Sequence, residues 1–278
     1  WSALGTGVGG TVRAITVVGE DVYVGGEFQT AGGVPANRIA KWNGTSWSGL
    51  DSAIVPSIVT AIVAKGDEIY VGADYTTLDR SSYFLKYDGT TWTALGDGMT
   101  NGGVTSIGVS GDDLYVAGGF TAVGGVSATR IAKWNGSTWS SLGSGIPGNS
   151  NLVKLAISGT NVIAVGDFTS AGASSASRVA KWDGTSWSPL GLGLNGNSNA
   201  VTSVGSEIYV GGTFTTAGCN ASPFFARWRK AQWTGSNGAD WHSTANWSDG
   251  NVPATNAGIT IAANDATISS ADVTLSSL

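Results

Sequence analysis

Short apolar runs broken by Gly, Asn, Asp and Ser set the rhythm of this chain, and the runs are too short and too rich in β-branched and aromatic residues for helices. The clearest stretch begins at Val104-Thr-Ser-Ile107-Gly-Val109-Ser, which predicts a first strand. Gly111-Asp112-Asp113 predicts a turn, and Leu114-Tyr115-Val116-Ala117-Gly118-Gly119-Phe120 a second strand. A Gly-rich loop leads to Arg130-Ile131-Ala132-Lys133-Trp134, a third strand, and Asn135-Gly136-Ser137 turns into Thr138-Trp139-Ser140-Ser141-Leu142-Gly143, a fourth. Asn-Gly supplies the positive φ angles of a type I′ hairpin, so the last two strands are expected to pair antiparallel. Asn43-Gly44, Asp88-Gly89 and Asp183-Gly184 stand at the same place in other copies.

The pattern recurs. Trp1, Trp47, Trp92, Trp139, Trp187 and Trp233 mark it at steps of about 46 residues. Four antiparallel strands per repeat, with no helical periodicity, is the size and pattern of a β-propeller blade. A β-solenoid is the rival, but its coils are usually shorter and need no hairpin in each copy. The fold class expected is all-β, a propeller of four-stranded blades over residues 1–230. Blade strands should be apolar on both faces, as Val22-Tyr23-Val24 and Ile208-Tyr209-Val210 are, and the pairs Gly25-Gly26, Gly118-Gly119 and Gly211-Gly212 should let backbones approach closely. The fifth copy has Arg229-Lys230 where Asn-Gly belongs, while Trp1-Ser-Ala-Leu4-Gly5 reads as a fourth strand with no blade before it. Pairing those orphans predicts five blades closed by the N-terminal strand, which removes exposed edges. Six or seven blades, with earlier repeats lying outside this sequence, is the competing count.

Composition narrows the function classes. Charged residues are only 12 %, against about a quarter in a usual soluble protein, and the net charge is −5 with no basic run. Nucleic acid is therefore not an expected partner. No run reaches the roughly 18 apolar residues of a membrane helix, so no membrane insertion is expected here. The chain opens at Trp1 in mid-motif and without Met, which reads as a trimmed or mature chain. The single cysteine, Cys219, rules out an internal disulfide framework and is expected to be a buried small residue. From about Ala231 the spelling changes to QWTGSNGADWHSTANWSDGNVP, with no Lys or Arg after Lys230. Residues 231–278 therefore read as the start of a second β-rich module, truncated and possible as a solenoid, whose Trp233, Trp241 and Trp247 could pack on the ring.

The copies of YVGGxF, AGG, IAKWNG and WSxLG resemble secreted bacterial kelch-like or Rax2-like propeller repeats over about 230 residues. The WTG…DWHSTANW…VP segment resembles a short module of Bacteroidetes-type surface proteins. Both resemblances imply adhesion, scaffolding or recognition more often than catalysis, an extracellular or cell-surface location, and further domains in the same polypeptide. The second copy departs most, with Ala73-Asp74-Tyr75 in place of Gly-x-Phe, Tyr83 in place of Arg and Tyr87 in place of Trp.

Candidate chemistry is sparse. The only histidine, His242, cannot build a multi-His metal site, and no nucleophile-elbow motif supports a Ser-His-Asp triad. The copper ligand set of galactose oxidase-type kelch enzymes is missing. Glu20-Asp21, Asp67-Glu68 and Asp112-Asp113 repeat at one turn per blade, which fits turn chemistry better than a glycosidase pair across one cleft. No Asp-x-Asp-x-Asp-Gly calcium loop occurs. No catalytic, metal or cofactor-binding residue is therefore assigned, and no ligand-binding residue is named.

Eight of the 14 Lys and Arg fall on the third strand: Arg38, Lys41, Lys86, Arg130, Lys133, Arg178, Lys181 and Arg227. Repeat-locked cations are expected to shield strands or stack on Trp. Trp on both sides of each hairpin reads first as a cross-strand packing pair and second as a sugar platform. Asn43, Asn135, Asn220 and Asn246 begin Asn-x-Ser/Thr triplets that matter only in a glycosylating host. The expected function is a non-catalytic extracellular scaffold or adhesion and recognition propeller whose partners are surface proteins or glycans. The alternative is a lectin-like propeller with carbohydrate sites between blades.

Overall fold

The computed structural model describes residues 1–50, 58–74, 81–82, 84–148 and 152–230. The second module expected at 231–278 lies outside these residues, as do Tyr75, Tyr83 and His242. All regular structure among the described residues is β, and each repeat builds one antiparallel sheet, here called a blade. The first blade runs Thr11–Val18, Asp21–Glu27, Ile39–Trp42 and Trp47–Gly49 in spatial order. The second consists of Val59–Lys65, Glu68–Ala73, Phe84–Tyr87 and Trp92–Ala94, and the third of Val104–Ser110, Asp113–Gly118, Ile131–Trp134 and Trp139–Ser141. The fourth has Lys154–Ser158, Asn161–Val165, Val179–Trp182 and Trp187–Pro189. The fifth, as far as it is described, has Ser198–Val204, Glu207–Gly212 and Phe225–Trp228.

Two turn types punctuate the first four blades. The first two strands are joined by a two-residue loop opening on glycine, such as Gly111 at φ 56°, which is the glycine-first type II′ form. The third and fourth strands are joined where the Asn-Gly pattern places the turn, but not as type I′. Four residues separate the paired Trp42 and Trp47, and of these only Gly44 has positive φ, at 92°. Asn43 Oδ1 accepts the backbone N–H of Thr45 at 3.0 Å and of Ser46 at 2.8 Å, so the side chain builds the turn.

Alternation along each first strand sends one set of side chains to the preceding blade and the other to the following one. Ile107 and Val109 pack with Ala61, Tyr70 and Phe84 of the second blade. Tyr115 and Ile131, on the opposite face, pack with Leu155, Val162 and Ala164 of the fourth. Hydroxyls fasten the inner strands: Thr60 Oγ1 donates to the Val104 carbonyl, and Thr105 Oγ1 to the Val153 carbonyl at 2.6 Å. On the side away from the Asn-Gly turns, the segment entering a blade bridges to that blade's small hairpin, as in Val8 with Ala31 and Leu194 with Ala217.

The array is open. Residues 1–5 form no strand, Trp1 is fully exposed, and the pairing expected between this segment and the strand ending at Trp228 is not formed among the described residues. Cys219 also departs from expectation: it is exposed, at the tip of the hairpin between Thr216–Ala217 and Asn220–Ala221. Its place in a two-residue turn leaves nothing to bury it.

Candidate functional site

The repeat places an acid, a tyrosine and a cation on one face of the blade. Register sets Lys41 opposite Tyr23, and Asp21 lies two residues before Tyr23, hence on the same face. Lys41 Nζ reaches Asp21 Oδ2 at 3.0 Å. The same pairing joins Lys86 to Glu68 at 2.8 Å, Lys133 to Asp113 at 3.1 Å and Arg227 to Glu207 at 3.5 Å. The carboxylate turns and the third-strand cations, read separately in the sequence, are therefore partners. The hydrogen bond from Lys41 to Asp21 pushes the ammonium pKa up, and those from Lys86 and the Tyr70 hydroxyl push Glu68 down. Burial, reinforced by the Glu68 acceptor, pushes the Tyr70 phenol well up, so it stays protonated. The fourth blade has Asn161 and Ile163 where the others carry acid and tyrosine, beside Lys181.

The arginines act differently. Arg38, Arg130 and Arg178 do not lie on the third strand but just before it, at φ 74°, 63° and 65°. The backbone of Arg130 is held there from both sides, its N–H donating to the Phe120 carbonyl and its carbonyl accepting from Gly118. Left-handed geometry is costly for a side-chain-bearing residue and persists only where the surroundings fix it. From this perch Arg130 Nη1 donates to the Ile146 carbonyl at 3.0 Å, and Arg178 Nη1 to the Leu194 carbonyl at 3.3 Å, stapling the linker to the next blade. The only sequence trace of this role is the Arg before Ile/Val-Ala-Lys-Trp in three copies.

The hairpin tryptophans of the first four blades are spent on packing. Trp42–Trp47, Trp134–Trp139 and Trp182–Trp187 form tilted pairs with centroids 5.4, 5.2 and 5.5 Å apart, and Tyr87–Trp92 a fourth at 4.8 Å. The indole N–H of Trp47, Trp92, Trp139 and Trp187 donates to the carbonyl of Leu4, Leu50, Leu95 and Leu142 respectively, each about one repeat earlier. Trp139, Trp182 and Trp187 are buried.

Two clefts remain. One of about 560 Å³ lies between the third and fourth blades, with Asp113, Tyr115 and Lys133 on one wall and Thr160, Trp182 and Asp183 on the other. The other, about 400 Å³, is lined by Pro35, Asn37, Trp47 and their neighbours. In the larger cleft Asp113 is held by Lys133. Asp183 accepts backbone N–H groups from Ser186 and Thr185, which push its carboxyl down to about 2, so it carries no proton to donate at neutral pH. Among the described residues no three His, Cys, Asp or Glu side chains converge as metal ligands.

The sequence profile of the Rax2 C-terminal beta propeller domain matches residues 1–157. The chain belongs to this family. A Rax2-type propeller accounts for the repeated four-stranded sheets and their face-to-face stacking. No curated protein matches the chain. Among solved structures, the computationally designed Ika8 protein superposes with a TM-score of 0.50 at 16 % identity, covering 73 % of this chain and 55 % of that one. The extracellular domain of what is described as the one component system BT4673 from B. thetaiotaomicron also gives 0.50, at 11 % identity, covering 78 % and 27 %. This chain thus matches about half of the first and a quarter of the second, and at these identities the likeness is one of fold. Among the described residues of this Rax2-type chain no helix is long and apolar enough to cross a membrane.

Proposed function

We propose that this chain is a non-catalytic extracellular scaffold or recognition propeller within a larger bacterial secreted or cell-surface protein. The observation that carries this reading is how the chemistry is used: the repeated acids, cations and tryptophans are paired with one another or with neighbouring blades. What remains is a stiff stack of sheets, suited to presenting surfaces. The structural neighbour described as an extracellular domain supports the location. Surface proteolysis of intact cells producing the parent protein tests it: the repeats should be cleaved without lysis, and full protection would overturn the placement. Hydrolase or oxidase turnover by the purified chain would overturn the non-catalytic reading.

The larger cleft favours one second reading, a carbohydrate site, because Tyr115 and Trp182 stand beside Asp113, Lys133 and Thr160 there. A glycan array separates the two. Binding that is lost in Tyr115→Ala selects the lectin reading, and an empty array selects the scaffold.

A further inference from the structure

We propose that the cleft between the third and fourth blades takes a neutral pyranose by a vicinal pair of ring hydroxyls, one donating to Asp113 and its neighbour accepting from Lys133. This specificity rests on the carbohydrate reading of the same cleft. Comparison of the blades shows where polar groups are left unspent. In the second and fifth blades the acid is a glutamate, and the tyrosine two residues on donates to it, Tyr70 to Glu68 and Tyr209 to Glu207, each at 2.6 Å. In the third blade the acid is Asp113, one methylene shorter, and the Tyr115 hydroxyl has no partner among the described residues. The mouth of the cleft differs as well. Lys65 of the second blade spans to the third, its ammonium 2.9 Å from the Asp112 carbonyl. Across the next gap the corresponding residues are Ser110 and Thr160, both short, and they line the cleft. The first blade repeats the short acid in Asp21, but there the Tyr87 phenol comes close enough to Tyr23 and Lys41 to act on both.

The groups that converge have bonding capacity to spare. Lys133 Nζ reaches Asp113 Oδ2 at 3.1 Å, which leaves Asp113 Oδ1 and the remaining ammonium protons for a ligand. The two side chains are 33 % and 31 % exposed, so a ligand can reach both. An acceptor and a donor this close match adjacent hydroxyls on a six-membered ring that are gauche, both equatorial or one axial, whereas trans-diaxial hydroxyls point apart. One hydroxyl donates to the carboxylate and the next accepts from the ammonium, so both contacts are charge-assisted. The Tyr115 hydroxyl donates to or accepts from a third sugar oxygen, and Trp182 offers an apolar wall to the ring C–H groups. Charge selects among sugars. Asp183, ionised at neutral pH, stands on the far wall, so a uronic or sialic acid would meet a like charge. At about 560 Å³ the cleft has the usual size of a small-ligand site.

Ligand-observed NMR titration of the full chain with the methyl glycosides of glucose, mannose and galactose tests this. Each is run beside its 3-deoxy analogue, which keeps the flanking ring hydroxyls but has no vicinal pair. At least one glycoside should bind, and its deoxy analogue should bind about tenfold more weakly or worse. Tyr115→Phe removes a hydroxyl that holds nothing in the protein, so the fold stays while affinity should fall about threefold or more. Tyr23→Phe, the same change in the first blade, should leave binding unchanged. Equal binding of a glycoside and its deoxy analogue, full affinity in Tyr115→Phe, or a loss in Tyr23→Phe instead would each overturn the assignment while the carbohydrate reading stands. Binding of none of the three glycosides would overturn it too, and the glycan array then decides whether the carbohydrate reading falls with it.

Discussion

At the Asn-Gly turns a single oxygen does most of the work. Asp183 Oδ1 accepts the N–H of Thr185 at 2.9 Å and of Ser186 at 2.8 Å, as Asn135 does for Ser137 and Thr138. These bonds favour the carboxylate over the acid and hold the folded pKa of Asp183 at about 2, below the roughly 3.9 of an unfolded Asp. A depressed folded pKa stabilises above the unfolded value, and the stabilisation is lost as pH falls through the folded one. Asp183→Asn, which copies the first and third blades, should therefore melt near the wild-type temperature at neutral pH. Between about pH 4 and pH 2 it should lose less of that temperature, and calorimetry at several pH values reads the difference. Tyr70→Phe removes the donor to Glu68 at 2.6 Å and should cost about 1 kcal/mol in urea unfolding. The place of these turns was readable from Asn-Gly, Asp-Gly and the flanking Trp residues. Their type was not, because the Asn or Asp side chain replaces the backbone geometry that type I′ would need. The left-handed arginines were equally hidden, since nothing local distinguishes Arg130 from a strand residue until the long bond to Ile146 is seen.

Strands, at the next scale, are defined by what presses on them. The glycine at position 72 is required by Val104 of the following blade, not by its own backbone, whose φ is ordinary. Gly72→Ala should destabilise by about 1–3 kcal/mol, the usual cost of overpacking, whereas Gly211→Ala should be neutral or slightly stabilising in the isolated chain. Urea midpoints of the two variants check the contrast, which the sequence alone would not predict for two residues both preceded by Tyr-Val. Strand existence and order were legible from the apolar runs, because the second-strand runs such as Leu114-Tyr115-Val116 are apolar on both faces and the runs are bounded by Gly or Asx. The pairing of Asp21 with Lys41 was not, because the two lie 20 residues apart and only the register of the second and third strands brings them together.

Among the described residues each blade contacts the blades next to it in sequence, so stability should be greatest in the middle. Amide exchange should be slowest in Asp113–Gly118 and Asn161–Val165 and fastest in Phe225–Trp228, a gradient that mass spectrometry of quenched peptides reads directly. The repeat count in the described residues was legible from the tryptophans. The expected closure at Trp1 is not formed among the described residues, since a motif can spell a strand without supplying the edge it pairs with. The small-to-large matching between blades has a last consequence, for how such a gene can change. Duplicating the second repeat in place sets Gly72 against a new Val59, the valine that Gly25 already accepts. Duplicating the fourth sets Val165 against a new Val153 where Ser198 now stands. Repeats are therefore not freely interchangeable units of recombination, and the order in which blades were copied should be written in which of them still open with a residue smaller than valine.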